Sequence, residues 1–553
     1  MHAAEPLSHF VDAYLTYLYE ACPTQATFDG VHLNDDLLED YRRTAIDRHL
    51  GALAGFARRL DAIPAEGLTP GEQADRAMVE ANIRSRQFDL EVTRAWEKNP
   101  HIYADLLASS LAAQALFTYA PEEDRARRVL SKLRQVPRLI QAARENVKEP
   151  PAIFIKIGLE SWRGVRTFID ADIPRAFSRV DDLHLLADLA DASTEAVQAV
   201  DEYVAYLEND LRPRAKGSFR LGRDVFEQKL RLDEGIQLSS DRLLTIALRE
   251  LSRVQDEFRQ TAARIGGTGD PLDIWAQVRQ QHPAPGALIT TAQEQVAQLR
   301  AFLAKGSVVD LPQEDDVVVA PTPDFLRWSF ASMWTPGPFE TRMSRAVYCL
   351  TDVEPGWTDD RKVEHLRDYN IPTLWNISMH EVYPGHYLHF HHLRRASSKV
   401  RRSTLLAPLS YIEGWAHYCE EMMLEAGFGR GDHAMKLGQL GEALVRLARF
   451  VVCLKLHTDD WSVEQGVRFF REEAYLEEAA ARREAERGTF DPTYLVYSAG
   501  KLMLQKLRRD WMDEQPGKPT LRAFHDAFLS QGAATFPQLR RLMLQHADGD
   551  PLE

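Results

Sequence analysis

The sequence predicts a mainly α-helical protein, one large multi-helix body with a small β element in its middle. Apolar residues recur at three- and four-residue spacing through most of the first 260 residues, and again from residue 362 almost to the end. Between about 266 and 360 this period gives way to β-branched and aromatic runs bounded by proline and aspartate. The chain therefore has a helical start, a short β region and a helical second half.

The clearest helical segments are residues 45–63, 124–147 and 188–211. The breaks between helices fall at proline and glycine, and none of them is long or low in complexity, which is typical of turns rather than domain linkers. No internal repeat is found. We therefore expect a single domain over residues 1–553, with a possible subdomain division near residue 265.

Two short strands are expected in the β region. DDVVVAPTPDF at 315–325 and RAVYCLTDV at 345–353 are rich in residues that favour strands and are bounded by proline or aspartate. They predict a small sheet immediately upstream of the motif HEVYPGH at 380–386.

Composition limits the partners of the chain. Its 67 Lys and Arg stand against 82 Asp and Glu, and the net charge of -15 repels phosphate backbones and anionic membrane surfaces. We expect no nucleic acid and no membrane among the partners. The sequence does not indicate an oligomeric state.

The cysteines and the first residues indicate a cytoplasmic protein. The four cysteines are far apart and form no Cys-x-x-Cys pair, which argues against a disulfide framework and a thiolate zinc site. The first residues carry Glu5 and Asp12 without a basic leader, a pattern unlike a secretory signal. No stretch reaches about 18 uninterrupted apolar residues.

HEVYPGH begins like a zinc-hydrolase helix but spaces its histidines differently. In the familiar motif, histidines at i and i+4 share one helix face, and the glutamate at i+1 acts as general base. Here His386 follows His380 at i+6, and a regular helix would rotate it about 240° away. Pro384 and Gly385 disfavour a regular helix, which predicts a widened turn that lets both imidazoles reach one metal, with Glu381 beside them.

A third ligand is available in LSYIEGWAHYCEEMMLEAG. Glu413, 33 residues after His380, begins a helical segment with an apolar face, and a buried carboxylate needs a partner such as a cation. Two histidines and one glutamate leave zinc an open position for water. A helix start favoured by the dipole is the alternative explanation of Glu413. His417, at i+4, is either a rival ligand or a partner of the ligands. Three further histidines are more typical of a surface helix face: His389, His391 and His392.

PTYLVYSAGKLMLQKLR offers a hydrogen-bond donor for the oxyanion that forms when water attacks a carbonyl. Tyr494 and Tyr497 are the candidates, although aromatic residues at helical spacing are also typical of a core. His457 lies beside an apolar face and is more typical of a structural histidine.

Three motifs in order resemble one bacterial family, domain of unknown function 885, which is regarded as a family of zinc metallopeptidases. HEVYPGHYLH resembles its His-Glu-x-x-Pro-Gly-His-x-x-Gln signature, and EGWAHYCE its Glu-Gly-Trp-Ala-x-Tyr-x-Glu motif. PTYLVYSAGKLMLQKLR is similar to its Ser-Tyr-x-x-Gly region. PTQATFDG, WEKNPHIY and GSFRLGRDVFEQKLR also look like family landmarks, so the resemblance extends over most of the chain.

The resemblance implies zinc on His380, His386 and Glu413, with Glu381 as general base and Tyr497 near the oxyanion. It also implies a fold related to the helical zinc peptidases with a deep substrate channel. The chain departs from the family pattern at two positions: His389 stands where Gln is usual, and Val496 where Ser is usual.

We therefore expect a cytoplasmic zinc-dependent hydrolase, a metallopeptidase that cleaves a peptide or small amide substrate by metal-activated water. The strand predicted at 345–353 is expected to hold an extended substrate by edge pairing. One alternative is a zinc amidase or esterase acting on a small non-peptide substrate. The other is a non-catalytic, all-helical binding protein without metal.

Overall fold

The computed structural model describes residues 6–313, 316–323, 330–343 and 345–553. Within these ranges the chain is mainly helical, with 26 α-helices and one three-stranded sheet near the middle of the sequence. The predicted fold class, a large multi-helix body with a small β element, is confirmed. No helix in the described ranges has both the length and the apolar character needed to cross a membrane.

The described chain divides into two compact units. Unit 1 comprises Met1–Leu221, Pro336–Ser344 and Ser398–Leu406, and unit 2 comprises Gly222–Thr335, Arg345–Ser397 and Ala407–Glu553, as far as their residues are described. The first change of unit falls at residues 221 and 222, not near 265. The single-domain organisation expected from the sequence stays a prediction.

Unit 1 contains the first eleven helices. They are α1 (Leu7–Ala21), α2 (Pro23–Asp29), α3 (Arg43–Asp61), α4 (Pro70–Phe88), α5 (Ala95–Lys98), α6 (His101–Leu116), α7 (Glu122–Leu133), α8 (Val136–Asn146), α9 (Ala152–Thr167), α10 (Ile173–Ala176) and α11 (Leu183–Tyr206). Short π-helical segments (Asp89–Thr93, Phe168–Asp172 and Leu207–Leu211) and one 3-10 turn (Arg212–Arg214) extend them. The helical pattern at 124–147 is divided between α7 and α8, because Pro137 suits the first turn of a new helix.

The helices from α12 onward belong to unit 2, except α19. They are α12 (Arg223–Glu234), α13 (Ser240–Gly266), α14 (Pro271–Val278), α15 (Leu288–Gly306), α16 (Asp359–Asp368), α17 (Ile371–Glu381), α18 (His386–Leu393), α19 (Lys399–Arg402), α20 (Leu409–Glu425), α21 (His433–Thr458), α22 (Val463–Glu473), α23 (Glu478–Phe490), α24 (Val496–Glu514), α25 (Leu521–Ser530) and α26 (Phe536–Met543). Helix α21 is buried along most of its length and packs against α13, α17, α20 and α24. A helix that is apolar on nearly all sides belongs in a core, and α21 is the core helix of unit 2.

Helices α20 and α24 cross at two glycines. A Cβ on Gly500 would lie 2.1 Å from the carbonyl oxygen of Ser410, and a Cβ on Gly414 would lie 2.6 Å from the carbonyl carbon of Gly500. Only glycine allows the two backbones to approach this closely. The crossing fixes the position of Glu413, next to Gly414, and of Tyr497, one turn before Gly500.

The sheet has the order β1-β3-β2, with β1 at Val317–Pro321, β2 at Ala331–Trp334 and β3 at Ala346–Leu350. Strand β1 runs parallel to β3, and β2 runs antiparallel to it. Strands β1 and β3 lie in the two predicted segments. The sequence analysis missed β2, whose four residues ASMW are too few to show alternation.

The position of β3 corrects one expectation. Every residue of β3 pairs with β1, and four of the five also pair with β2, so β3 has no free edge along Val347–Leu350. The expectation that 345–353 holds a substrate by edge pairing is therefore wrong. The outer edges of the described sheet belong to β1 and β2. Three residues of the segment predicted at 315–325 lie outside the described residues: Asp315, Asp324 and Phe325.

Candidate metal centre

The HEVYPGH motif joins two helices. Helix α17 begins after Asn370, whose side chain accepts a hydrogen bond from a backbone N–H of the first turn, and ends at Glu381. Residues 382–385 form a turn that contains a cis peptide bond between Tyr383 and Pro384, and α18 begins at His386. The chain between the two histidines is therefore not a regular helix. This break is what the i+6 spacing of His380 and His386 predicted.

Gly385 allows this turn to fold back on the end of α17. Its N–H donates to the carbonyl oxygen of Met379 at 3.0 Å. A Cβ at Gly385 would lie 1.7 Å from the carbonyl oxygen of His380, so no other residue fits without a backbone shift. Trp415 of α20 donates its indole N–H to the carbonyl oxygen of Pro384 at 2.9 Å and ties the turn to that helix.

The turn brings three predicted ligands together. The Nε2 atoms of His380 and His386 each lie 3.5 Å from the same carboxylate oxygen, Oε2 of Glu413. One ligand atom from each residue falls within 4.8 Å of the others, and the imidazole rings stand nearly perpendicular, with centroids 4.8 Å apart. Ligand atoms held about 2.1 Å from a tetrahedral zinc ion lie roughly 3.4 Å from each other. The two distances to Glu413 match that spacing.

Two polar atoms of this cluster have no hydrogen bond in the part of the chain that the structure describes, and one of them is a ligand atom. Oε2 of Glu413 and Nδ1 of His386 are buried and have no hydrogen-bond partner among the described residues. A buried polar atom left unpaired costs about 1–3 kcal/mol, and a bound cation would remove that cost for the carboxylate. Two imidazoles and a carboxylate form a zinc ligand set with a position left for water. The three residues therefore fit the metal that the sequence predicts.

The charges of the cluster depend on each other. Burial alone would raise the pKa of Glu413, but the imidazoles of His386 and His380 outweigh it and hold that pKa well below its usual range. Burial lowers the pKa of His380, but the neighbouring carboxylates of Glu413 and Glu420 raise it to about 9. The carboxylate of Glu413 is thus kept ionised, as a metal ligand must be.

Glu420, a residue that the sequence analysis did not single out, lies behind His380. Its Oε1 accepts a hydrogen bond from Nδ1 of His380 at 2.7 Å and forms an ion pair with Nη2 of Arg446 at 3.0 Å. Its Oε2 accepts from Asn376 at 3.0 Å and from Nδ1 of His417 at 3.1 Å. A carboxylate on Nδ1 fixes the tautomer whose Nε2 can bind a metal. Glu420 is the last residue of EGWAHYCE, two turns after Glu413 on the same helix face. This seven-residue spacing is the sequence feature that could have indicated its place beside the cluster.

The other candidate histidines lie outside the three-ligand cluster. Burial lowers the pKa of His417 to about 3, so it is neutral and serves as a partner of Glu420. His389 is buried against the ring of Tyr411, with 4.9 Å between the ring centroids. His457 is buried, and its Nε2 lies 2.8 Å from the carbonyl oxygen of Gly488, in agreement with a structural role.

Glu381 is the last residue of α17. Burial raises the pKa of the Cys349 thiol on β3 to about 12, and the charge of Glu381 contributes to that rise. The side chain is thus close to the central strand, and Glu381 follows His380 directly in sequence. Its role as a base at the centre stays a prediction.

The two candidate tyrosines have different surroundings. Tyr497 is half-buried, and burial followed by the charge of Glu413 raises the pKa of its phenol, which places it near the centre. Tyr494 is buried, donates to the carbonyl oxygen of Glu484 at 3.4 Å and packs against Gly488. Tyr494 is therefore a core residue, and Tyr497 is the tyrosine close to Glu413.

Two cavities lie away from the three ligands. One in unit 2 has a volume of about 810 Å³, and Trp275, Trp357, Arg279 and Glu442 are among the residues that line it. One in unit 1 has a volume of about 680 Å³, and Tyr17 is among its lining residues. The deep channel implied by the resemblance stays a prediction.

A family model described as "Bacterial protein of unknown function (DUF885)" matches residues 23–543. The chain belongs to this family. No curated protein matches this DUF885 chain. The matched region contains all five predicted site residues.

Two solved structures are similar to this DUF885 protein over nearly all of its length. A "putative lipoprotein of unknown function" from Shewanella oneidensis has a TM-score of 0.81 and 24% identity, with 98% of this chain and 100% of that chain covered. A "putative lipoprotein" from Colwellia psychrerythraea has a TM-score of 0.83 and 17% identity, with 98% and 99% covered. At these identities the likeness shows the shared fold alone.

Proposed function

We propose that this DUF885 protein is a zinc-dependent hydrolase with peptides as its substrates. One observation supports this above the others: the Nε2 atoms of His380 and His386 lie 3.5 Å from one oxygen of Glu413 that lacks a hydrogen bond among the described residues. Glu420 behind His380 supports the same proposal, because metal-binding histidines commonly donate their second N–H to a carboxylate.

The residues around the centre have distinct roles in the proposed reaction. A zinc ion on His380, His386 and Glu413 would lower the pKa of water at the site towards about 7. Glu381 takes a proton from the attacking water and delivers it to the leaving amine. The remaining hydroxyl joins the carbonyl carbon while the C–N bond breaks. Tyr497 donates a hydrogen bond to the carbonyl oxygen as it gains charge.

Metal analysis tests the ligand set. The protein, purified without chelator, is expected to hold about one zinc ion per chain. His380→Ala is expected to lose most of it, because two ligands rarely hold zinc firmly. His433→Ala, at the start of α21 and outside the cluster, is the control and should keep the metal. Undiminished zinc in His380→Ala would remove this residue from the site.

Glu381→Gln tests the role of the base. The variant is expected to keep its zinc while turnover of a peptide mixture falls by roughly 10²–10⁴-fold, the usual contribution of a general base. Glu364→Gln, an exposed glutamate on α16, is the matched control. A fully active Glu381→Gln would show that another group accepts the proton.

Substrate profiling separates the proposal from its alternatives. Cleavage of peptides but not of small esters or non-peptide amides supports a peptidase. The reverse result identifies an amidase or esterase. A protein that holds no zinc and cleaves nothing is the binding protein considered above.

A cytoplasmic location is also part of the proposal. All four cysteines are free, as is usual in a reducing compartment. The two similar structures carry the name lipoprotein, so location needs its own experiment. Fractionation of cells is expected to place the protein in the cytoplasm, and recovery with membranes would contradict this part.

A further inference from the structure

Three arginines surround the ring of Tyr497. The guanidinium carbons of Arg446, Arg449 and Arg487 lie 6.0, 5.2 and 5.9 Å from the ring centroid. Nη2 of Arg487 also donates to the Tyr497 hydroxyl at 3.5 Å. Three guanidinium groups thus surround Tyr497, next to the proposed metal centre.

Both terminal nitrogens of Arg446 form ion pairs inside the protein. Its Nη2 contacts Glu420 at 3.0 Å, its Nη1 contacts Glu442 at 3.1 Å, and only 10% of its side chain is exposed. It therefore connects α21 to the carboxylate behind His380 and is not free to bind a substrate.

Arg449 and Arg487 each have one terminal guanidinium nitrogen, Nη1, without a hydrogen bond in the described part of the chain. Arg449 binds Glu484 through Nε and Nη2, at 2.6 and 2.8 Å. Arg487 binds Asp491 through the same two atoms, at 3.0 and 2.8 Å. Within the described part of the chain, no hydrogen-bond partner lies on Nη1 of either arginine.

Both arginine side chains are partly exposed. The side chain of Arg449 is 15% exposed and that of Arg487 is 34% exposed. Guanidinium N–H groups in this setting bind carboxylates well, because charge and planar geometry both match. Phosphate would fit the same donors, but the proposed reaction concerns peptides, whose C-terminus carries a carboxylate.

We propose that Arg449 and Arg487 bind the C-terminal carboxylate of the substrate, so that the protein removes residues from the C-terminal end of peptides. This inference rests on the proposed function. Tyr497 is close both to the arginines and to Glu413, so a carboxylate bound there would lie only a few residues of extended peptide, at roughly 3.5 Å each, from the proposed metal centre. Cleavage at the proposed metal centre would then release a short C-terminal fragment, which leaves with its α-amino group newly formed by hydrolysis.

A structural role for the arginines is the competing explanation. Their ion pairs with Glu484 and Asp491 join helices α21 and α23 and hold the turn after α23, and this alone could position Tyr497. A purely structural role would affect all substrates equally. Carboxylate binding would affect only substrates with a free C-terminus.

Matched peptides separate the two explanations. Zinc-loaded full-length protein is given N-acetylated peptides of the same sequence, one with a free C-terminal carboxylate and one with a C-terminal amide. The free carboxylate is expected to raise kcat/KM by roughly 10- to 100-fold, mainly through a lower KM. Arg487→Met and Arg449→Lys are expected to reduce this ratio towards one. Arg482→Met, on the same helix α23 but paired with Glu464 and Glu478, should preserve it.

Binding supplies a second readout that does not need turnover. Calorimetry with zinc-loaded Glu381→Gln should show that the free-carboxylate peptide binds more tightly than the amide, and that adding Arg487→Met abolishes the difference. Equal cleavage of both peptides, unchanged by the arginine variants, would overturn this inference and leave the hydrolase intact. Carboxylate-dependent binding without any cleavage would overturn the hydrolase and leave the recognition site. If the protein shows no binding preference and no cleavage, both the carboxylate site and the hydrolase are overturned.

Discussion

Oε1 of Glu420 accepts a hydrogen bond from Nδ1 of His380 at 2.7 Å, and the carboxylate that makes this contact is fully buried. The same carboxylate receives donors from Asn376, His417 and Arg446. Four donors on one anion hold it rigidly, so the imidazole of His380 has one orientation available.

Glu420→Gln is therefore expected to weaken zinc binding by about 10- to 100-fold without altering any metal ligand. The amide cannot accept from all four donors, and the guanidinium of Arg446 loses its buried counter-charge. The variant should also lose about 3 kcal/mol of stability. Zinc titration with a competing chelator measures the first effect, and urea unfolding of the metal-free protein measures the second.

Glu421→Gln separates the two effects of that variant. Glu421 is the next residue on α20 and forms a largely buried ion pair with Lys501, but it does not contact His380. Its substitution should destabilise the fold to a similar degree and leave zinc affinity unchanged. If both variants weaken zinc binding equally, general destabilisation and not orientation of His380 explains the loss.

Gly385→Ala is expected to abolish zinc binding. The added methyl group would lie 1.7 Å from the carbonyl oxygen of His380, so the turn must open and His386 must move away from Glu413. Gly356→Ala is the control, because a Cβ there has no atom within 4 Å and its φ is not positive. Metal content and thermal midpoint should both fall in the first variant only; normal zinc in Gly385→Ala would show that the turn tolerates a side chain.

Much of this centre was accessible from the sequence because its local chemistry is unusual. Proline and glycine between two histidines indicate a break in a helix, and the break at 382–385 is what the structure shows. The place of Glu413 depended on the ordered motifs, since no local pattern states that a residue 27 positions after His386 returns to it. Unit 2 brings them together where α20 packs against α17 and α18, which is tertiary packing.

The features that sequence reasoning missed depend on distant pairings. Strand β2 has four residues and no alternation, and β3 is central only because β1 and β2 both pair with it. The arginines around Tyr497 come from helices α21 and α23, and ordinary helical patterns do not indicate which faces meet. Residues distant in sequence decide whether a strand has a free edge. They also decide whether a guanidinium nitrogen lacks a hydrogen bond.

Gly500→Ala is expected to destabilise unit 2 and reduce turnover together. A Cβ at this position would lie 2.1 Å from the carbonyl oxygen of Ser410, so α20 and α24 must separate and Tyr497 must move away from Glu413. Overpacking typically costs about 1–3 kcal/mol, and more when the clash is with backbone, so the free energy of unfolding should fall by at least this amount. Circular dichroism and peptide turnover measure the two effects.

Gly164→Ala is the opposite case and the matched control. Gly164 lies on the exposed side of helix α9, and a Cβ there has no atom within 4 Å. Alanine should stabilise that helix by about 0.5–1 kcal/mol and leave turnover unchanged. A similar loss in both glycine variants would show that the tight crossing is not the reason for the first.

His525 should make the stability of the protein fall in acid. Its Nδ1 lies 2.8 Å from the carbonyl oxygen of Val308 and its Nε2 lies 2.9 Å from the hydroxyl of Tyr418, and burial lowers its pKa to about 3. The unfolded chain binds a proton near pH 6.5, whereas the folded chain does so only near pH 3. The folded state is therefore favoured above pH 6.5, and this contribution is lost as the pH falls towards 3.

Between pH 7 and pH 5 the loss from this one histidine is about 2 kcal/mol. His525→Asn is expected to be less stable than the wild type at pH 7, because Asn cannot bridge both partners, but its stability should fall by about 2 kcal/mol less on acidification to pH 5. Urea unfolding at the two pH values, in the presence of a chelator, gives both numbers. His433→Asn, a partly exposed histidine, should retain the wild-type dependence. Identical acid dependence in His525→Asn and the wild type would mean that His525 takes up its proton without unfolding.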